Sequence, residues 1–243
     1  MKVKPFWVII ICLLVAGLFA GLEENPRRTS FDEYYLPIIE QANFTPGITN
    51  PYLPLVIGNK WTYKETGEEP SEKIQVEVLN ETKMVLGIAC TVVRDRVYED
   101  GNLVEDTSDW FAQDLNGNVW YMGEDSKVIV DGEIVSTHGS WEAGIDGAQP
   151  GIIMWASPFP GIPYRQEYLY GEAEDWGQVI AILDSYTIGE KTFTSVVKTK
   201  EWSALETGSS EFKYYAPGIG LIREESGKNP KYCINLIETN TGK

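Results

Sequence analysis

Three dipeptides constrain the fold of this chain more than any other feature: Asp100-Gly101, Asn116-Gly117 and Asp131-Gly132. Asp or Asn followed by Gly supplies the positive φ that type I′ turns require, and those turns match the twist of the strands they join. Each is flanked by strand-forming residues. Upstream, Lys73 to Leu79 alternates, with Ile74, Val76 and Val78 on one face and Gln75 and Glu77 on the other. Thr91 to Tyr98 is β-branched and apolar. Three hairpin signals in about thirty residues predict an antiparallel meander.

The pattern continues downstream through Phe193–Lys200, Glu211–Tyr215, Gly220–Glu224 and Tyr232–Ile237. Residues 172–186 are ambiguous. Val179, Ile182, Leu183 and Tyr186 have helical spacing, but Gly177 weakens a helix and the continuous run Val179 to Leu183 suits a buried strand. We read a strand. No repeat of fixed period points to a propeller. Between these strand regions, Gly139 to Pro163 is dense in Gly and Pro and holds Trp141 and Trp155. That density predicts a long loop, and Ile152-Ile153-Met154 predicts that it packs over one end or face of the sheet.

The first residues set the address. Lys2 and Lys4 precede an apolar run from Phe6 to Leu22, the layout of a secretory signal. Residues 1–20 are read as signal peptide or membrane anchor, with cleavage and retention both open. Cys12 lies inside the run and lacks the small residue that should precede a lipid-attachment cysteine. Residues 21–48 are a polar approach segment, where Ser30 and Glu33 have capping-box spacing and Pro37 keeps any helix short. Residues 49–240 form a single β domain. The chain is thus expected to be exported, and to touch a membrane only through its first segment. Two cysteines remain beyond the leader, Cys90 and Cys233, each in a strand-like stretch. A disulfide between them and two separate buried thiols are both open.

The 36 acidic against 20 basic residues give a net charge of −16. Such a field repels phosphate backbones and anionic bilayers, so nucleic acid and peripheral lipid binding are set aside. It favours cationic ligands or a divalent cation such as calcium, although solubility alone also accounts for it.

Candidate chemistry is sparse. Asp114-Leu115-Asn116-Gly117-Asn118 resembles a calcium loop, but Val119 and Asp125 stand where an EF-hand wants Gly and Glu, and a β-turn is the simpler reading. The lone His138 has Ser136 and Ser140 near it, without a nucleophile-elbow pattern. More suggestive is the mixture of acids and aromatics between residues 109 and 176. From it we take Asp109, Trp110, Glu124, Trp141, Glu142, Asp146, Arg165 and Glu167 as candidate ligand-binding residues. Aromatic faces stack on sugars or cations, and paired carboxylates hold a cation or cleave a glycosidic bond. A solvated acidic face around core aromatics would leave the same trace. Asn43-Phe44-Thr45 and Asn80-Glu81-Thr82 are glycosylation sequons.

Four blocks carry a resemblance: Asn50-Pro51-Tyr52-Leu53-Pro54-Leu55 with Trp61-Thr62-Tyr63; Asp109 to Asp114 running into Gly117 to Glu124; Gly139 to Gly151; and Tyr214 to Leu221. Over about residues 48–225 the chain resembles a family of secreted or surface proteins of bacteria and archaea with no assigned function. Its later part also looks like the half-barrels of lipoprotein carriers. The expectation is an all-β fold: an antiparallel meander forming a strongly curved sheet or partly closed barrel with a long Gly/Pro/Trp loop. Such a sheet offers a concave site. The leading expectation is a non-catalytic extracytoplasmic module for an apolar, lipid-like or cationic small ligand, without cofactor. A carboxylate-dependent hydrolase of glycans, pairing acids such as Glu124 and Glu142, and a structural envelope component are the alternatives.

Overall fold

The computed structural model describes residues 35–67 and 71–242. The expected leader, Cys12 and the Ser30/Glu33 capping box lie outside them. The described residues form seventeen strands: β1 (Phe44–Thr45), β2 (Lys60–Thr66), β3 (Glu72–Val85), β4 (Ile88–Glu99), β5 (Asn102–Asp114), β6 (Val119–Asp125), β7 (Val128–Val130), β8 (Glu133–Ser136), β9 (Trp141–Glu142), β10 (Gln149–Met154), β11 (Tyr164–Arg165), β12 (Glu167–Tyr168), β13 (Asp175–Ile188), β14 (Lys191–Ser203), β15 (Glu211–Ala216), β16 (Gly220–Ser226) and β17 (Cys233–Thr239). One 3-10 turn, Gln41–Asn43, precedes them. Every ladder is antiparallel.

The sheet runs from β2 through β3, β4, β5 and β6 to β10. The segment 164–168 then pairs β10 through Glu167 and Tyr168, and β13 through Tyr164 and Arg165. From β13 it continues through β14, β15, β16 and β17, and β17 returns to β2. The result is a nearly closed barrel. Closure removes the edges that a long open sheet would present for aggregation.

Local sequence explains most turns. Asp100-Gly101 and Asp131-Gly132 are two-residue connections with both φ positive, 49° and 82°, 54° and 83°. Asn116-Gly117 differs: only Gly117 has positive φ, because four residues join β5 to β6. There the Asp114 carboxylate accepts the N–H groups of Asn116 and Asn118, the Asn118 amide and the Trp120 indole, fastening the turn. A further tight turn, Leu86-Gly87, joins β3 to β4 with φ of 50° and 78°. The Gly139–Pro163 stretch is irregular except for β9 and β10. Pro150 and Gly151 sit inside β10, because its ladder to β6 begins only at Gly151 and the segment carries the barrel's closure.

Residues 48–55 close one end of the barrel from within. Ile48, Leu53 and Leu55 are buried against Trp61, Tyr63, Phe111, Val119 and Tyr121. Asn50 holds the plug, donating its amide to the carbonyls of Gly117 and Trp155 while its N–H donates to Gln113. The apolar interior is therefore filled by the chain's own side chains at this end. A second, smaller cluster lies on the outer face, where Leu183, Tyr186 and Phe193 of the β13–β14 hairpin pack on Tyr214, Ala216 and Ile222.

Cys90 and Cys233 are free and buried, so the disulfide is not formed. They lie on β4 and β17, with β2 and β3 between them in the sheet. Cys90 donates to the Ile88 carbonyl, and Cys233 sits 3.0 Å from the Thr66 hydroxyl. Burial pushes the Cys90 thiol up to about 12.

Candidate functional site

Side chains alternate along a strand, so every second residue faces the interior. At the plugged end those residues are apolar. At the opposite end they are carboxylates. Val93, Asp109, Glu124 and Trp141 are successive cross-strand partners on β4, β5, β6 and β9, and all are buried. Thr199, Lys213, Glu224, Ile234 and Glu65 form the equivalent row on β14, β15, β16, β17 and β2. Asp95, Glu105, Glu167, Asp175, Glu201 and Glu211 complete the lining, each less than a tenth exposed. These acids stay in phase with the apolar face, as in Val93-Arg94-Asp95-Arg96-Val97, so strand pleating turns them inward.

Burial makes ionisation costly here, because a charge in low dielectric loses its hydration. Desolvation raises Glu105 to about 8 and both Asp109 and Asp175 to about 7. Asp95, Glu124, Glu167 and Glu224 are pushed well above the carboxylate range by burial first and by neighbouring acids second. Opposing contacts are few. Tyr121 donates to Asp109 at 2.7 Å, and Thr107 donates to Glu105 at 3.0 Å. The Trp141 indole near Glu167, the Tyr121 hydroxyl near Glu124 and the Arg96 N–H near Asp95 draw those pKa values down without reaching an aligned hydrogen bond. Neither oxygen of Asp95, Glu124 or Glu167 has a hydrogen-bond partner in good geometry among the described residues.

Among the described residues, one ammonium sits inside this end. Lys213 Nζ is 2.9 Å from Glu201 Oε2 and 3.8 Å from Glu224 Oε2. Burial alone would lower its pKa, but Glu201, Glu211 and Glu224 hold it well above the usual value. Beside it, Glu65, Glu211, Glu224, Ser226, Tyr232, Cys233 and Ile234 line a cavity of about 30 Å³. That is room for one or two waters.

The structure divides the candidate residues. Asp109, Glu124, Trp141 and Glu167 converge inside the acidic end. Arg165 is also buried, but its guanidinium lies 4.2 Å from the Trp176 ring centre and 4.8 Å from that of Tyr168, and its charge reaches Glu167 from there. Trp110 and Glu142 are outside. Lys83 lies over the Trp110 ring and pairs with Glu142 at 2.9 Å. Asp146 is exposed, in a loop with φ of 50°. Glu124 and Glu142 cannot form a catalytic pair, because Glu124 is opposite Trp141 while Glu142 is opposite Gly123, which puts their side chains on opposite faces. His138 is exposed, 3.3 Å from Glu172. Sequence reasoning missed Glu65, Asp95, Glu105, Glu201, Glu211, Lys213 and Glu224, and Asp175 belonged to its acid-aromatic mixture without being taken as a candidate. The signal available was the phase of those residues with neighbouring buried positions.

No protein-family model and no curated protein matches the chain. Two solved structures are similar in fold. One is named as an exported protein with a YmcC-like fold from Bacteroides fragilis; it is 14% identical with a TM-score of 0.46, over 79% of this chain and 100% of that one. The other is named as a lipoprotein from Parabacteroides distasonis, 11% identical with a TM-score of 0.41, over 79% of this chain and 99% of that one. At this distance no residue role carries across.

Proposed function

We propose that this chain is an exported, non-catalytic binding module whose acidic barrel end takes a compact cationic group. One observation carries the reading: the carboxyl oxygens of Asp95, Glu124 and Glu167 are buried without aligned hydrogen-bond partners. A buried carboxyl in that state either keeps its proton or takes a cation. Lys213 already plays the second part for Glu201 and Glu224, so the barrel demonstrably tolerates an ammonium there. The cavity beside Glu65, Glu211 and Glu224 suits a group of ammonium size. Among the described residues, no set of three or more His, Cys, Asp or Glu is spaced to hold a metal ion, which favours an amine over multidentate calcium. Export rests on Lys2, Lys4 and the apolar run after them.

The test is thermal unfolding of the full chain at neutral pH in sodium, ammonium, methylammonium or calcium chloride at matched ionic strength. A ligand of the folded state raises the midpoint by mass action. The ammonium salts should raise it above sodium, and Glu124→Gln should remove the increment. Equal midpoints in all four salts would refute the reading.

A further inference from the structure

The barrel's circuit is uneven in strength. β13 and β14 face each other over twelve residue pairs, and β3 and β4 over eleven. Segment 164–168 meets β10 over two, Gln149 with Tyr168 and Pro150 with Glu167, and Pro150 has no N–H to give. Toward β13 the same segment is tied more firmly. Tyr164 pairs with Gly177 and Arg165 with Trp176, the Gln166 N–H donates to the Asp175 carbonyl at 2.9 Å, and Leu169 bridges Ala173 in the turn that joins the two. The weak seam is therefore the one between β10 and the segment. The residues connecting those two include Pro158, Pro160, Gly161 and Pro163 and form no strand.

The seam is closely fitted when shut. A Cβ on Gly151 of β10 would fall 2.4 Å from the Arg165 carbonyl oxygen and 2.4 Å from the Gln166 carbonyl carbon. Outside, the Tyr35 hydroxyl donates to the Pro150 carbonyl at 2.9 Å while its ring meets that of Tyr168 edge-on at 6.3 Å, so Tyr35 straps both sides. Inside, Glu167 is fully buried, with neither carboxyl oxygen in an aligned hydrogen bond. Across the seam it faces Asp109 of β5, Glu124 of β6 and the Trp141 indole of β9, and on its own side lie Arg165 and Asp175. β10 contributes no ionisable side chain.

We propose that segment 164–168 is a proton-controlled hatch into the acidic end, hinged on β13, which parts from β10 when Glu167 and the acids facing it ionise. The weakest ladder of the circuit coincides with the place where acids crowd across a seam. Ionised together, Glu167, Glu124 and Asp109 repel in low dielectric, and water admitted through the seam restores the hydration that burial denies them. While the hatch is shut, burial and neighbouring acids hold Glu124 and Glu167 protonated well above the ordinary 4.5. Opening returns them toward that value and releases protons. The shut state binds more protons, so it loses stability as pH rises. Each proton released multiplies the opening constant by about ten per pH unit until the shut-state pKa is passed. The hatch supplies a controlled route into the acidic end and does not depend on which cation enters.

Hydrogen exchange of the full chain, held in neutral detergent, tests this at pH 6 and pH 8 after division by the intrinsic rate at each pH. Amides of 164–168 should lose roughly tenfold or more of their protection at the higher pH. Urea at about 1 M should leave that opening unchanged, because a hatch exposes little surface, while it speeds exchange in β3 and β4. Glu167→Gln should remove most of the pH dependence. The variant Q149C/Y168C joins two directly paired residues, whose Cα atoms on antiparallel strands lie within disulfide reach. Oxidised, it should keep at pH 8 the protection the parent has at pH 6, and reduction should restore the loss. The proposal fails if 164–168 is equally protected at both pH values or if its opening rises with urea as steeply as that of β3 and β4. It fails equally if the oxidised staple leaves the pH dependence as in the parent, or if a folded Glu167→Gln does.

Discussion

Lys213→Met removes the ammonium that sits among the buried acids and keeps most of the side-chain stem. In the parent, Nζ is 2.9 Å from Glu201 and 3.8 Å from Glu224, with side chains 2%, 5% and 10% exposed. Removing one partner of a buried ion pair leaves the other uncompensated, which costs about 3–5 kcal/mol. An independent bound agrees. A stranded carboxyl can escape by taking a proton, and at pH 8 a glutamic acid of ordinary pKa 4.5 does so at a cost on the order of 5 kcal/mol. At pH 5 the same escape costs under about 1 kcal/mol, leaving only the change in packing. Lys213 itself has a raised pKa, so its contribution is complete below the ordinary lysine range and is lost only at higher pH. The pH 5–8 window therefore belongs to the carboxylates. Urea unfolding followed by tryptophan fluorescence should show a loss of about 3–5 kcal/mol at pH 8, shrinking to about 1 kcal/mol at pH 5. A loss under about 1 kcal/mol at pH 8, or equal losses at both pH values, would refute the argument that this end is governed by uncompensated charge.

Glu105→Gln tests the sign of the pH dependence. Burial raises Glu105 from 4.5 to about 8, so the folded state keeps a proton that the unfolded chain releases, and stability falls between those values as pH rises. The variant should follow the parent near pH 4 and exceed it at pH 9 by an amount on the order of 5 kcal/mol at most. Parallel midpoint curves in calorimetry from pH 4 to 9 would contradict this. Gly123→Ala tests the local geometry beside Glu124. Gly123 has φ of 138°, and a Cβ there would collide with the Trp141 carbonyl and crowd Glu142 Cα and the Trp110 ring. Because backbone cannot yield as a side-chain tip does, a loss of about 2–4 kcal/mol is expected, with altered near-ultraviolet circular dichroism as β9 and Trp141 shift. A variant matching the parent in both would show that the β6–β9 contact is not needed to seat Trp141.

Turns were legible where one residue pair dictates the backbone. Asp100-Gly101 and Asp131-Gly132 take both positive φ values unaided. Leu86-Gly87 was not legible, because leucine disfavours positive φ. What accompanies that turn is a tertiary contact: the Leu86 side chain lies against Gly144, where any Cβ would collide with it. The strand in residues 172–186 was readable from Gly177 and the apolar run, whereas β10 was obscured by Pro150 and Gly151. For the site, the aromatic-acidic mixture pointed to Asp109, Glu124, Trp141 and Glu167. The same survey could not exclude Trp110, Glu142 and Asp146, since residue type does not say which face of a strand a side chain occupies.

By itself the sequence determined the class of structure. Hairpin dipeptides and two-residue alternation are local properties, set by φ preferences and by the pleat, and they act before any distant contact forms. Only the tertiary structure decided what the alternation enclosed. Once β17 returned to β2 and segment 164–168 bridged β10 to β13, acids from nine different strands came to share one end of the interior, while Lys64 and Lys73 were left exposed outside it. Net charge is a sum and carries no sign of place. Closing the barrel separated that sum into a low-dielectric acidic lumen, where carboxyls hold their protons, and a solvated outer wall, where exposed side chains keep their charge.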